Sequence, residues 1–240
     1  MQMEVETMKK ILTALTAIGV LAGVALAEDV TSVNVVGYKK HTMESGKLYL
    51  VANQFQSIDG NPVTAETLIG DQLPFNSQIF FWNSKKAGGP GYDSSERINI
   101  PGFLVGWDET LELDGTKGFW VSVGGETGIT YEVAFLGEVP QMGFITNVIA
   151  GTITMTAYPY TADVYFTNTQ LFAQSEVGDQ MFIWDPLTQY TSYSFINIPG
   201  FQVGWGPTAD ALILRQGTGL WYDRASSNDL EIVDVRPYLN

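Results

Sequence analysis

The sequence predicts an all-β protein made of two tandem copies of one sandwich-like or barrel-like module, preceded by a cleaved N-terminal signal helix. A decamer occurs twice, as INIPGFLVGW at Ile98–Trp107 and as INIPGFQVGW at Ile196–Trp205, with nine of its ten residues identical. Short apolar stretches with a two-residue period, bounded by Gly, Asp, Asn and Pro, are typical of strands. No helical period of useful length follows the signal. Repeated landmarks in a fixed order indicate repeated architecture, so these three observations define the predicted fold class.

The first 27 residues have the three parts of a secretory signal. Lys9 and Lys10 precede an apolar run that ends in the small-residue cleavage site Ala25-Leu26-Ala27. The run is too short for a membrane anchor and is followed by polar residues, so export with cleavage is predicted. The sequence therefore divides into a signal at residues 1–27, a first copy at residues 28–140 and a second copy at residues 141–240.

Further landmarks recur in the same order, with small changes in spacing that indicate loop insertions and deletions. The matched segments are Val36–Tyr38 with Met142–Phe144, Gly46–Leu50 with Gly151–Met155, Gln78–Asn83 with Gln180–Asp185, and Gly118–Val121 with Gly219–Tyr222.

Each copy contains four predicted strands. They are Leu48–Phe55, Gln78–Asn83, Phe119–Val123 and Ile129–Phe135 in the first copy, and Thr152–Tyr158, Met181–Trp184, Gly219–Tyr222 and Leu230–Val235 in the second. Single helical turns are predicted near Ala65–Leu68 and Thr169–Ala173.

The repeated decamer predicts a corner of the module. Ile98 and Ile100 suit one face of a strand, and the Pro-Gly dipeptide that follows ends ladder pairing with a turn or bulge. Gly106 leaves space for the indole of Trp107 to lie against the backbone. The second decamer has the same residues at these positions, so an aromatic side chain is predicted to fill the interior of each copy.

Composition excludes several classes of partner and chemistry. The 240-residue chain has 12 Lys and Arg against 26 Asp and Glu, a net charge of −14, and no Cys. Such an acidic chain repels nucleic acid and anionic membranes, whose binding depends on Lys and Arg. Disulfides and thiolate metal sites are impossible without Cys. No transmembrane span is predicted after removal of the signal, and no cofactor is predicted.

The segment Val33-Asn34-Val35-Val36-Gly37-Tyr38, together with the later GFW and GLW landmarks, resembles a group of exported bacterial β-repeat proteins that begin with a VNVVGY segment. The resemblance spans most of the mature chain. It implies export and a duplicated β architecture, and it carries over no functional residue.

Catalytic residues are sparse. His41 is the only histidine, and the polar residues around it predict an exposed turn. The chain contains no GxSxG nucleophile motif, so a Ser-His-Asp triad is not indicated. Glycoside hydrolysis requires two carboxylates, and an acidic cluster does follow Trp107. The second copy does not match this cluster, so a solvated acidic loop is the favoured interpretation. The cluster consists of Asp108, Glu109, Glu112 and Asp114.

The six tryptophans form three matched pairs. Exposed indoles would stack on sugar rings and make a two-site carbohydrate binder, whereas buried indoles would stabilise the core. Burial is favoured because each indole lies in or beside an apolar strand. The pairs are Trp82 with Trp184, Trp107 with Trp205, and Trp120 with Trp221.

The strand after the signal suggests a mode of assembly. Because the second copy ends without a following strand, the segment containing Val33, Val35, Val36 and Tyr38 of a neighbouring molecule would complete it by strand addition. Repetition of that head-to-tail contact makes a filament. In the alternative arrangement, the same strand folds back onto its own module.

The predicted function is that of an exported, non-enzymatic structural or cell-surface protein that assembles with itself. A carbohydrate-binding module with polysaccharide as its partner is the first alternative, and a carboxylate-dependent glycosidase is the second. The sequence leaves open whether the destination is the periplasm, the outer surface or the medium.

Overall fold

Antiparallel strands are the main secondary structure of the chain in this structure, a computed structural model that describes residues 35–238. The predicted all-β class is confirmed. The predicted signal and Val33 lie outside the described residues, and the chain from Val36 onward forms one compact unit. The strands are β1 Val36–Glu44, β2 Leu48–Ala52, β3 Gln78–Asn83, β4 Gly91–Ile100, β5 Leu104–Trp107, β6 Gly118–Ser122, β7 Thr130–Glu138, β8 Phe144–Ile149, β9 Thr154–Ala157, β10 Val164–Tyr165, β11 Gln180–Asp185, β12 Gln189–Ser194, β13 Ile196–Ile198, β14 Gln202–Gly204, β15 Ile213–Leu214, β16 Gly219–Asp223 and β17 Leu230–Val235.

Helical structure in the described residues is limited to single turns. Helix α1 (Ala65–Leu68) begins after Thr64, and α2 (Gln170–Ala173) begins after Thr169; each threonine hydroxyl accepts a hydrogen bond from a backbone N–H of the first turn. Both turns confirm the sequence prediction. Two further turns were not predicted. They are a 3₁₀ turn at Phe166–Asn168, just before α2, and helix α3 at Pro207–Asp210.

The two halves of the chain, residues 35–140 and residues 141–238, have the same strand order. The main sheet of the first half runs β2-β6-β3-β4-β5, and that of the second half runs β9-β16-β11-β12 with the hairpin β13-β14 beyond it. In each half a two-stranded ribbon joins the first and last strands, β1 with β7 and β8 with β17. The equivalent strands in the two halves therefore occupy equivalent positions.

Each half has its own core between its main sheet and its ribbon. In the first half Phe119 and Val121 of β6 pack with Val133 of β7. In the second half Leu220 and Tyr222 of β16 pack with the β8–β17 ribbon. The domain boundary predicted between residues 140 and 141 falls between the two clusters, and the division into two domains stays a prediction.

Each main sheet has one face toward its own core, and the opposite faces of the two sheets pack against each other. Because strand side chains alternate between faces, Trp120 points away from the core that Phe119 and Val121 fill. A third buried cluster results, which contains residues of both halves. Its buried members are Leu50, Trp120, Met155 and Trp221, and the partly buried side chains around them are Leu48, Phe80, Trp82, Ile153, Phe182 and Trp184. The layers therefore run ribbon, sheet, sheet, ribbon.

Contacts across this seam between the halves are reciprocal. Trp82 Nε1 donates to the carbonyl of Ile153 at 2.9 Å, and its equivalent Trp184 donates to the carbonyl of Leu48 at 2.7 Å. The indole of Trp184 also meets Trp120 edge to face at 5.3 Å, while Trp82 meets the equivalent of Trp120 in the second half at 5.4 Å. The seam thus has the exchange symmetry of a twofold dimer interface within one chain.

The pseudo-twofold axis passes between Gly118 and Gly219. A Cβ atom on Gly118 would lie 3.0 Å from the Cα of Gly219, and a Cβ on Gly219 would lie 3.0 Å from the Cα of Gly118. Nearby, the N–H of Ala157 donates to the carbonyl of Thr116 at 3.1 Å. Backbone therefore meets backbone at the axis, and a side chain at either glycine would separate the sheets.

Strand β1 folds back onto its own half. Val36 lies opposite Glu138 and Tyr38 lies opposite Leu136 in the β1–β7 ladder. The exposed side chains of Val35, Val36 and Tyr38 face solvent. Val36 and Tyr38 of the predicted assembly strand therefore already pair within their own half. This is the alternative arrangement, in which the strand folds back onto its own module.

We predict that Gly118→Ala destabilises the protein, because the new methyl group meets backbone atoms of the other half and such overpacking costs about 1–3 kcal/mol. Urea unfolding followed by tryptophan fluorescence measures the change in the free energy of unfolding. Gly143→Ala is the matched control, since a Cβ there has no neighbour within 4 Å. Equal stability of the two variants would show that the axis tolerates a side chain.

Candidate functional site

Two hairpin tips expose the most prominent apolar side chains of the described residues. The tip between β4 and β5 carries Phe103, which is 83% exposed, and the tip between β13 and β14 carries Phe201, which is 81% exposed. Both tips lie inside the repeated decamer. Their remaining exposed apolar side chains are Ile100 and Val105 in the first half and Ile198 and Val203 in the second.

Local sequence accounts for the shape of both tips. Phe103 N–H donates to the carbonyl of Ile100 at 3.0 Å, and Phe201 makes the same 3.0 Å bond in the second half. Pro at the second position and Gly at φ +80° or +82° at the third define a type II turn. The predicted Pro-Gly turns are therefore present, and each turn directs a phenylalanine into solvent.

Burial changes along the length of each decamer. The indoles of Trp107 and Trp205 are buried in the two cores, as predicted. Ile100 and Ile198, by contrast, are about half exposed. The hairpin extends beyond the core that the tryptophan fills, so the decamer combines a buried end with an exposed apolar end.

The other tryptophans lie in the seam between the halves. Trp120 and Trp221 are buried, while Trp82 and Trp184 are partly buried and use their N–H groups on carbonyls of the opposite half. Stacking of a sugar on these rings would compete with the packing of the seam. All six indoles are therefore buried or partly buried in the cores and the seam.

His41 lies in a different environment from the one predicted. The exposed turn is wrong: His41 is in β1, its ring packs 4.6 Å from that of Phe135, and its Nε2 has no hydrogen-bond partner. Burial, assisted by the charge of Lys39, lowers the pKa of His41 from 6.5 to about 4. The alternation of β1, which places every second side chain inside, was the signal that sequence reasoning missed.

The acidic residues after Trp107 have structural contacts. Asp108 accepts hydrogen bonds from the hydroxyl of Ser95 at 3.1 Å and from the N–H of Glu96 at 2.7 Å. Asp114 accepts from the N–H of Thr116 at 2.8 Å, and Glu112 pairs with Thr64 as an isolated bridge. Within residues 35–238, no group of three or more potential metal ligands occurs.

An open cleft of about 440 Å³ lies along the seam, and sequence reasoning did not identify it. Segments from both halves line it, so their proximity depends on how the sheets pack. Two ion pairs border it, Lys85 with Asp229 at 2.9 Å and Lys86 with Asp93 at 2.8 Å. Hydrogen bonds, first of all those from the lysines, lower the pKa of both aspartates. These carboxylates therefore remain charged in mildly acidic solution.

Comparisons with known proteins add no relative. No family model matches the chain, and no curated protein and no solved structure matches it. The resemblance to proteins with a VNVVGY segment accordingly stays a prediction. Among the helices of the described part of the chain, none has the length and apolar character needed to cross a membrane.

The pKa of His41 predicts an acid-sensitive stability. Between pH 6.5 and about 4 the unfolded chain binds a proton at His41 and the folded chain does not, so stability falls as the pH falls through this window. The effect amounts to at most about 3 kcal/mol. His41→Asn introduces the residue found at the equivalent position, Asn147, and should remove this dependence.

Urea unfolding of both proteins across this pH range measures the difference. Burial raises the pKa of Asp234, which acts in the opposite direction, but it is common to both proteins and cancels in the comparison. If the free energy of unfolding changed with pH equally in the wild type and in His41→Asn, the prediction would be contradicted.

The core tryptophans provide a matched pair of substitutions. Trp107 Nε1 donates to the carbonyl of Gly70 at 3.1 Å, whereas Trp205 Nε1 is buried without a partner. Trp107→Phe should therefore cost more stability than Trp205→Phe, by about 0.5–1.5 kcal/mol, because it removes a hydrogen bond to a partly buried carbonyl. Thermal and urea unfolding of the two variants measure both losses of stability. A larger loss for Trp205→Phe would contradict the prediction.

Proposed function

We propose that this chain is an exported, non-enzymatic structural or cell-surface protein made of two duplicated β modules, which self-associates through its two hairpin tips. The observation that carries the proposal is the pair of tips with phenylalanines more than 80% exposed. Exposed apolar patches on soluble proteins usually mark interaction surfaces. The shared strand order of the halves supports the duplication.

Comparison of the two halves supports a functional role for the tips. Buried positions have changed between them: Phe119 corresponds to Leu220, and Phe135 corresponds to Asp234. The exposed apolar positions have not changed, although packing does not require them. The identical pairs are Ile100 with Ile198, Phe103 with Phe201, and Val105 with Val203.

Charge favours a second copy of the chain as the partner. Neither decamer contains a charged residue, while the chain as a whole carries a net charge of −14. Two copies can therefore meet at their tips without bringing carboxylates together, whereas most other contacts between them would be repulsive. The same net charge opposes binding to an anionic membrane.

Two tips give each molecule two equivalent binding surfaces. A contact from one tip to a tip of the next molecule leaves the second tip free, so association continues into a chain unless the geometry closes a ring. This mode leaves the β1–β7 ladder intact.

Export remains part of the proposal, on the basis of the signal sequence and the resemblance to exported proteins with a VNVVGY segment. A carbohydrate-binding module based on the six tryptophans is less well supported, because their rings are used in the cores and in the seam.

Substitution of the tips tests the proposal on the mature chain beginning at Glu28. We expect the wild type to form concentration-dependent oligomers, each single variant, Phe103→Ser or Phe201→Ser, to stop at dimers, and the double variant to be monomeric. Because both side chains are exposed, stability should be unchanged. Analytical ultracentrifugation and negative-stain electron microscopy provide the readout.

Leu187→Ser is the matched control, because Leu187 is 79% exposed and lies outside both tips. It should assemble as the wild type does. A wild type that is monomeric at every concentration, or a double variant that assembles normally, would overturn the proposal.

A further inference from the structure

We infer that the cleft along the seam binds a neutral saccharide, at a site that involves neither the hairpin tips nor stacking on the tryptophans of the seam. The cleft volume of about 440 Å³ lies within the usual range for small-molecule sites. Its lining comes from the end of β3 and the loop at residues 114–117 in the first half, and from β8, β9 and Asp229 in the second half.

A largely buried asparagine side chain lines this cleft. Asn147 is only 3% exposed, and its Nδ2 donates to the carbonyl of Thr116 at 3.1 Å and to the hydroxyl of Thr156 at 2.8 Å. Because a carbonyl only accepts, these bonds fix the orientation of the amide. The side-chain oxygen of Asn147 then remains as an acceptor that receives no hydrogen bond from the described residues, and a ligand hydroxyl would satisfy it.

The charged groups of the cleft favour an uncharged ligand. Lys85 pairs with Asp229, Lys86 pairs with Asp93, and Lys117 lies 3.9 Å from Asp114. A charged ligand would have to disrupt one of these pairs. Hydroxyl groups instead use the spare carboxylate lone pairs and ammonium hydrogens, since a hydroxyl both donates and accepts. A ligand rich in hydroxyl groups fits this arrangement.

The pseudo-twofold symmetry provides an internal comparison. The position equivalent to Lys85 in the second half is Leu187, and the position equivalent to Lys117 is Thr218. Asn147 corresponds to His41, whose ring packs against the backbone near Gly217. These two lysines are thus present on one side of the seam only, although the reciprocal tryptophan contacts occur on both sides. The seam alone does not require them.

Isothermal titration of the mature protein with cellopentaose, maltopentaose and the N-acetylglucosamine pentamer tests the inference. We expect at least one of these neutral oligosaccharides to bind with a Kd below about 1 mM. Lys85→Ala and Asp229→Asn, on the exposed rim, should each weaken binding about tenfold by removing a charge-assisted hydrogen bond. Thr218→Ala, at the position equivalent to Lys117, should bind as the wild type does.

The double variant Phe103→Ser, Phe201→Ser separates this inference from self-association. It should bind the same oligosaccharide with unchanged affinity, whether or not the wild type assembles. Absence of binding by all three oligosaccharides at about 10 mM would overturn the inference, as would binding that the two rim variants leave unchanged.

Discussion

The reciprocal packing of the two halves is the constraint on which the rest of the structure depends. Each half donates an indole N–H to a strand carbonyl of the other, from Trp82 to Ile153 and from Trp184 to Leu48. Each such bond adds about 1 kcal/mol, and leaving one of its polar groups buried and unpaired costs about 1–3 kcal/mol. The close approach of Gly118 to Gly219 allows both bonds to form at once.

This packing determines which surfaces remain available. The seam covers one face of each main sheet with the other half, and the ribbon of each half covers the second face. The rings of Trp120 and Trp221 are therefore buried. The surfaces left for interaction are those that project beyond the sheets, as the hairpin tips do, or that lie at the margin of the seam, as the cleft does.

Much of the fold was predictable from local patterns, whereas the site was less so. The decamer, the Pro-Gly turns and the burial of Trp107 follow from residue chemistry over a few positions. Tertiary packing decides the rest: the exposure of Ile100 at a hairpin tip does not follow from its strand pattern, and His41 packs against Phe135 of β7, far away in sequence. The cleft depends on segments of both halves, so no local pattern indicates it. One available signal was missed. The residues of Gly118–Val121 are all apolar or small and do not alternate with polar ones, a pattern that indicates a strand buried on both faces.

Gly118–Val121 also has a consequence for biogenesis. A first half alone would leave the Trp120 face of its sheet without a cover. Because the contacts across the seam are reciprocal, the same face of a separate chain resembles the cover that the second half provides. The tandem link holds the second half at a high effective concentration, which favours closure within one chain over exchange between chains.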